Sequence, residues 1–349
     1  MIVDVNWHWL PKDFFSDESL LNAFIRTIPR AYGEHVKVAT IPGSNLRQVV
    51  ISRPKGHINL QISELHTDAR HRIESMDEGK IDKAIMRLCI WEEWITLELA
   101  RRVNDSMAKD INEHPDRLQG LAVVPPWGDK ECIYELERAI KDLGLAGVEV
   151  PAHYGNLYLD AEEFRPFFKK INELNVPICV HHTPLPVDYG HIYDYVNLRR
   201  IFGRCVDQMT SVGRILYSGM LDELPNLKFI HTFLAGGFFA FANIVVPKKS
   251  TVKEVMEERF DPAASEKIKG YLERNIYFDI AHAPPWGKLQ LECAIKVLGA
   301  EHVLFGTSYP LRREWLVKGV DSMMDLEIGD KERSLVLGEN AMKLFKLKA

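Results

Sequence analysis

From residue 80 to the C-terminus, short apolar runs alternate with segments of helical periodicity, and this alternation constrains the fold more than any other feature. Lys83–Leu88 (KAIMRL), Leu118–Val124, Ala146–Val150, Ile178–His181, Lys228–His231, Ile276–Asp279 and His302–Gly306 read as strands. Thr96–His114, Cys132–Leu143, Ala161–Leu174, Arg204–Leu221 and Gly287–Leu298 read as helices between them. In the first of these helices Leu97, Ala100, Val103 and Met107 share one face. Pro125 and Pro126 close the third strand, and Gly144 stops the helix that follows. With Ile2–Asn6 as a first strand, the chain has eight strands in βα alternation, the number that closes a parallel α/β barrel. The expectation is one (β/α)8 TIM-barrel domain over residues 1–349, with residues 10–79 inserted between strands one and two. That insertion holds RPKGH at 53–57 and a polar helical run, His66–Asp77, and a connection of this length usually carries structure or function of its own. Residues 248–270 are charged and read as a solvated helical insertion after strand six.

Composition excludes several classes. A hydrophobic share of 46% over 349 residues is enough to fill a barrel core. The net charge of −5 provides no broad basic surface, so nucleic acid is not the expected partner. The five cysteines are scattered without a C-x-x-C pair, which suits buried thiols in a reducing compartment. The segment MIVDVNWHWLP lacks the basic and long apolar regions of a signal peptide, and no apolar run reaches the length of a membrane span. A cytoplasmic protein with no membrane partner is expected.

In such a barrel the chemistry sits at the C-terminal strand ends. Strand one ends in Asp4-Val5-Asn6-Trp7-His8, with residues 4, 6 and 8 on one face if the strand stays extended. Strand four runs into Glu149 and His153. Strand five ends in His181-His182, which point to opposite sides if both lie in the strand. His231 ends strand six, Asp279 ends strand seven ahead of His282, and Gly306-Thr307-Ser308-Tyr309-Pro310 ends strand eight. One such histidine alone is more often a core or capping residue. Three, at the ends of strands one, five and six, converge in a closed barrel and define a shared polar site suited to metal binding or proton transfer. His57, His66, His71, His114, His191 and His302 lack that placement and read as structural. Trp7, Trp9, Trp91, Trp94, Trp127 and Trp286 lie near strand ends, either lining a pocket for a flat carboxylate or packing loops. Arg101, Arg102 and Arg312 are candidates for bidentate pairing with a carboxylate, Arg312 the best placed because it follows strand eight.

Longer stretches carry a resemblance. ARRVNDSMAKDINEHPDRLQGLAVVPPWGDKECIYELERAIKDLGLAGVEV (100–150), FRPFFKKINELNVPICVHH (164–182), LPNLKFIHTFLAGG (224–237), HVLFGTSYP (302–310) and LGENAMKLF (337–345) are similar to the amidohydrolase-related (amidohydrolase 2) family. Within it the chain resembles the aminocarboxymuconate semialdehyde and γ-resorcylate decarboxylases. The resemblance implies one divalent metal (Zn, Mn or Fe), held by H-x-H or E-x-H on strand one, a His on strand five and an Asp on strand eight. A His on strand six is the acid or base. His8 matches the second ligand of the strand-one motif, His181 the strand-five ligand and His231 the acid/base. Two positions depart: Asn6 stands where His or Glu is expected, and Ser308 where the aspartate is expected. Both offer only neutral oxygens, so His8 and His181 remain as the metal set.

Three readings of the site stay open. A metal is held through substitutes such as His182, His231, Asp279 or His282; catalysis proceeds without metal; or the barrel is degenerate and kept for assembly. The resemblance implies an enzyme of decarboxylase or hydrolase type acting on a small aromatic or unsaturated carboxylic acid. His231 and Asp279 would be catalytic, and Arg312, Trp9 and His282 would contact the substrate. The alternatives are a catalytically reduced subunit paired with an active paralogous barrel, such as an oxygen-using dinuclear metal enzyme, and a small-ligand sensor. The expected assembly is a homodimer or a hetero-oligomer with a paralogue.

Overall fold

Eight parallel strands pair in chain order: β1 (Val3–Trp9), β2 (Lys83–Leu88), β3 (Leu118–Val123), β4 (Gly147–Pro151), β5 (Ile178–His181), β6 (Phe229–His231), β7 (Ile276–Asp279) and β8 (Val303–Leu304). The edges meet through a Trp7–Tyr309 bridge and backbone hydrogen bonds from Val5 N to Phe305 O (3.0 Å) and His8 N to Tyr309 O (2.8 Å). Each strand is followed by an outer helix: α1 (Ala69–Glu78), α2 (Leu97–Glu113), α3 (Lys130–Lys141), α4 (Arg165–Leu174), α5 (Arg204–Tyr217), α6 (Pro262–Arg274), α7 (Lys288–Leu298) and α8 (Arg313–Met324). The expected (β/α)8 barrel is the observed one. The computed structural model describes residues 1–52, 58–67, 69–187, 190–192, 195, 198–246 and 262–348. RPKGH at 53–57, with His57, and residues 248–261 of the expected charged insertion lie outside these.

Residues 10–79 carry structure of their own. Asp17 caps the helix Glu18–Thr27 by accepting from the Ser19 and Leu20 amides. His35–Thr40, Arg47–Ser52 and Ile58–Ser63 form an antiparallel sheet, which buries Val49, Ile51, Leu60 and Ile62. Phe14 and Phe24 meet Trp91 edge-on at 5.9 and 5.0 Å between ring centroids, and Tyr32 meets Trp94 at 5.2 Å. Trp91 and Trp94 therefore hold the insertion against the loop after β2 instead of lining a pocket.

Period-two alternation divides the barrel's apolar residues into two cores. Val3, Val5, Ile85, Leu121, Cys179, Ile230 and Leu304 fill the interior, joined by Ala341, Leu344 and Phe345 near the C-terminus. Ala84, Met86, Leu88, Val148, Val150, Ile178 and Val180 pack outward against the helices. Following the interior phase one step further, Arg87, Glu149, His181 and Asp279 form a second, polar layer toward the C-terminal ends. Arg87 Nε lies 3.0 Å from Glu149 Oε1 and Nη1 lies 3.1 Å from Asp279 Oδ2, with all three side chains fully buried. The Leu88 amide donates to the second Glu149 oxygen at 2.7 Å.

Removing the cation would leave two buried carboxylates unpaired, and losing one partner of such a network costs about 3–5 kcal/mol. Arg87→Met is expected to lower the urea unfolding free energy by that order. An unchanged midpoint with unchanged slope would show that the network contributes nothing.

Candidate active site

The first functional side chains are aimed by an irregularity in β1. Asp4 pairs with Ala84 but Trp7 with Met86, so β1 carries a bulge between them. Val3 and Val5 face the interior, whereas Trp7 and Trp9 pack outward. The bulge thus reverses the side-chain phase and turns Asn6 and His8 inward. The expectation that residues 4, 6 and 8 share a face is not met. Asp4 binds Thr307 through both the hydroxyl and the amide (3.1 Å), tying β1 to the strand-eight loop.

Asn6 Nδ2 donates to Thr232 Oγ1 at 2.7 Å and to Asp279 Oδ2 at 3.1 Å. Asp279 also accepts from the Thr232 hydroxyl (3.0 Å) and from the amides of Phe233 (3.2 Å) and Ala281 (2.8 Å), besides Arg87. Asp279 therefore belongs to this buried polar layer. Its lone pairs are committed to donors, so it orients neighbours and is poorly placed to exchange protons.

The histidines gather on this layer. The His8 and His181 rings meet edge-on at 5.1 Å, and His182 lies 4.2 Å from His181. Only His181 belongs to the strand, and both rings line one cavity, so the two do not point apart. His181 Nδ1 is 2.9 Å from Glu92 Oε1, while His181 Nε2, Glu92 Oε2 and both His8 nitrogens are buried without partners. Burial holds His8, His181 and His182 well below the ordinary histidine range, so their rings are neutral at pH 7. Burial pushes Glu92 the other way, up to about 8. The His282 ring packs at a tilt against Trp315 (4.1 Å) and Phe233 (4.7 Å), and burial lowers it to about 4.

Other expected residues lie elsewhere. Trp9 is fully buried and its Nε1 donates to Asp110 on α2 at 2.7 Å, so it anchors that helix and cannot wall a pocket. His231 ends β6 next to the inward-facing Ile230. Its Nδ1 sits 3.1 Å from Gln208 on α5 and its ring beside Phe229, while Thr232 is the residue that reaches Asp279. Among the described residues no contact joins His231 to the His8–His181 group, and its Nε2 is buried without a partner. Arg312 is 63% exposed, its guanidinium over the Trp315 ring. Arg101 pairs with Glu131, and Arg102 with Asp13 and Asp17, outside the barrel.

Sequence reasoning missed Arg87, Glu92, Arg200 and Arg204. The signal for Arg87 was present, since it continues the interior phase of Ile85. The signal for Glu92 was weaker: a carboxylate pair set between two tryptophans in WEEW.

The loops above this layer are strained. Phe233, Leu234, Ala235, Gly236 and Gly237 all have positive φ, as do Ile90, Ala281 and Ser308 after β2, β7 and β8. Left-handed backbone at a non-glycine costs roughly 1–2 kcal/mol per residue, so its concentration at one face marks a functional region. At Gly236 a Cβ would meet the Cys205 carbonyl oxygen at 2.1 Å, so only glycine fits.

A divalent ion is the family's implied cofactor, and the donor atoms test it. His8 and His181 Nε2 are free buried imidazole nitrogens that suit a transition metal. Glu92, Glu149 and His181 can each bring one donor atom within 4.8 Å of the others. However, both Glu149 oxygens already accept hydrogen bonds, and Arg87 adds a fixed cation beside them. Ser308 Oγ lies 3.4 Å from Asn6 Oδ1, so the two departed positions do converge, yet they bring no charge. These residues do not fit a tightly held ion of the family type.

A parallel eight-stranded barrel with histidines at the ends of strands one and five defines the class as an amidohydrolase-type barrel. An amidohydrolase family model matches residues 90–347, and the chain belongs to that family. Among its relatives is γ-resorcylate decarboxylase of Polaromonas sp. JS666, 29% identical over 295 residues, covering 79% of this chain and 86% of that one. Another is 2-amino-3-carboxymuconate-6-semialdehyde decarboxylase of Dictyostelium discoideum, 25% identical over 257 residues, covering 72% and 67%. A Polaromonas dihydroxybenzoic acid decarboxylase, solved with manganese and 2-nitroresorcinol, superposes with a TM-score of 0.69 at 22% identity, covering 100% of this chain and 98% of that one. The relatives are lyases, and this chain is an enzyme of the same superfamily. Among the described residues no helix is long and apolar enough to cross a membrane.

Two outcomes are expected. Elemental analysis of the purified chain should find clearly less than one transition metal per barrel, and Asn6→His with Ser308→Asp should raise metal affinity by orders of magnitude. Stoichiometric, chelator-resistant metal in the unmodified chain would contradict the donor analysis.

The second concerns His231, which burial lowers to about 3. Between about pH 6.5 and this value the unfolded chain binds a proton that the native ring refuses, so native stability falls as pH drops through that window. His231→Asn removes this deficit. Its destabilisation relative to the unmodified chain should shrink by about 2 kcal/mol from pH 7.5 to pH 5, read by urea denaturation. An equal difference at both pH values would mean that the ring titrates normally.

Proposed function

We propose that this chain is a non-oxidative decarboxylase of a small aromatic carboxylic acid of the hydroxybenzoate class. The observation that carries the reading is the buried polar layer, in which neutral histidines stand among cationic arginines in a chain whose relatives are decarboxylases. The reaction replaces a carbon–CO2 bond with a carbon–hydrogen bond. The site must therefore hold an organic anion, exclude water and deliver one proton to the carbon that loses CO2.

Arg87, Glu149 and Asp279 fix the floor of the site and hold Asn6 and Thr232 in place. His8 and His181 present neutral rings to the cavity. Proton delivery is assigned to the Glu92–His181 pair. Glu92 keeps its proton to about pH 8 and is hydrogen-bonded to the ring that lines the cavity. His231 is assigned a supporting role behind β6, through Gln208. The manganese of the Polaromonas structure is not carried over, because Asn6 and Ser308 bring no charge to the positions where the resemblance implies metal ligands. The reduced-subunit reading has no support in the relatives named above, all of which are enzymes.

Incubation with 2,6-dihydroxybenzoate in D2O tests this. The expected result is CO2 release, with one deuterium at the carbon that carried the carboxylate. Glu92→Gln should lower kcat by at least about a hundredfold with little change in KM, the size of a lost general acid. No CO2 from a panel of hydroxybenzoates would remove the decarboxylase reading. An unchanged kcat in Glu92→Gln would remove the pair from the mechanism.

A further inference from the structure

The cavity beside the histidines is lined by His8, Cys89, His181, His182, Arg200 and Arg204, among others. Its volume is about 50 Å³, room for a carboxylate group or about two waters but not for an aromatic ring. Most other described arginines already have an acidic partner or stack on a ring. Arg101, Arg102 and Arg138 pair with outer-helix and insertion acids, Arg87 with Glu149 and Asp279, and Arg312 lies over Trp315.

Arg200 and Arg204 have no acidic partner among the described residues, although Arg204 opens α5 at the cavity wall. Arg204 Nε is buried without a hydrogen-bond acceptor. Burial, then the Arg200 and Arg199 guanidiniums, push Arg204 down to about 9. A guanidinium left unpaired beside other guanidiniums costs stability until an anion arrives. No described carboxylate reaches it. The geometry of the guanidinium suits two parallel N–H···O bonds to a planar carboxylate.

We propose that Arg204, seconded by Arg200, is the subsite that takes the carboxylate of an aromatic acid at the His8–His181 cavity. The proposal rests on the decarboxylase reading for the aromatic part of the ligand, but not for the anion. Arg200 is exposed and meets the acid on entry, whereas Arg204 holds its carboxylate inside the cavity. The anion neutralises the pair when it binds. Loss of CO2 returns the site to its uncompensated state, which favours release of the uncharged product over retention.

Calorimetric titration of the full-length chain with 2,6-dihydroxybenzoate and with resorcinol, its counterpart without the carboxylate, tests the subsite. The unmodified chain should bind the acid and discriminate against resorcinol. Arg204→Gln should weaken acid binding about ten- to a hundredfold, the loss of a charge-assisted pair, and leave resorcinol unchanged. Arg204→Lys should recover part of the loss, Arg200→Gln should lose less, and Arg101→Gln serves as the surface control. If Arg204→Gln does not fold, Arg204→Lys and Arg200→Gln carry the test, because each must still weaken the acid selectively. The proposal is overturned if Arg204→Gln, or both of those variants, bind the acid within about twofold of the unmodified chain. It is also overturned if resorcinol binds as tightly as the acid, or if the unmodified chain does not bind the acid. A CO2-release assay separates the two readings. Arg204-dependent binding without CO2 keeps the subsite and removes the decarboxylase, whereas CO2 release with an unchanged KM in Arg204→Gln does the reverse.

Discussion

The buried ion network of Arg87, Glu149 and Asp279 is the constraint on which the rest of the site depends. It joins strands two, four and seven across the barrel interior, directly above the apolar layer of Ile85, Cys179 and Ile230. Isolated charges are not tolerated at such depth, so each member holds the others in place. Asp279 in turn gathers Asn6, Thr232 and the amides of Phe233 and Ala281. One guanidinium thereby sets the positions of β1, the turn after β6 and the loop after β7. Its charge also stands where a dication would otherwise draw on the same carboxylates.

Two backbone irregularities convert this floor into a site. The bulge in β1 reverses the side-chain phase, sending Trp7 and Trp9 outward and Asn6 and His8 inward. The left-handed run from Phe233 to Gly237 carries the chain across the top of the barrel, placing Phe233 against His282 and Trp286. Local strain of this kind persists only where the surrounding packing enforces it. Here the Asp279 bond to the Phe233 amide and the close approach of Gly236 to Cys205 supply that enforcement.

The barrel was legible in the sequence because strand and helix periodicities are local properties. The expected bounds of Lys83–Leu88, Ile178–His181 and Ile276–Asp279 coincide with the observed strands. His8, His181 and Asp279 were likewise found from their places at strand ends. The bulge was not legible, since VDVNWHW carries no glycine or proline to mark it, and with it went the outward destination of Trp9. His231 was misjudged for a related reason: the end of a strand has two faces, and the inward one at β6 belongs to Ile230 and Thr232. Arg204 was read only as the start of a helix. Its relation to His8 and His181 exists only in three dimensions, where α5 begins beside the end of β5.

The resulting electrostatics differ from a metal-centred barrel. Neutral imidazoles, a paired guanidinium at the floor and two unpaired guanidiniums at the wall make a site that is short of negative charge. Its natural complement is an organic anion. A crystal structure of the chain with bound 2,6-dihydroxybenzoate tests this most directly. The predicted result is the carboxylate in the cavity beside His8 and His181, within hydrogen-bond distance of Arg204, and the ring at the cavity mouth. A ligand bound elsewhere, or bound here through a metal ion with Arg204 turned away, would contradict it.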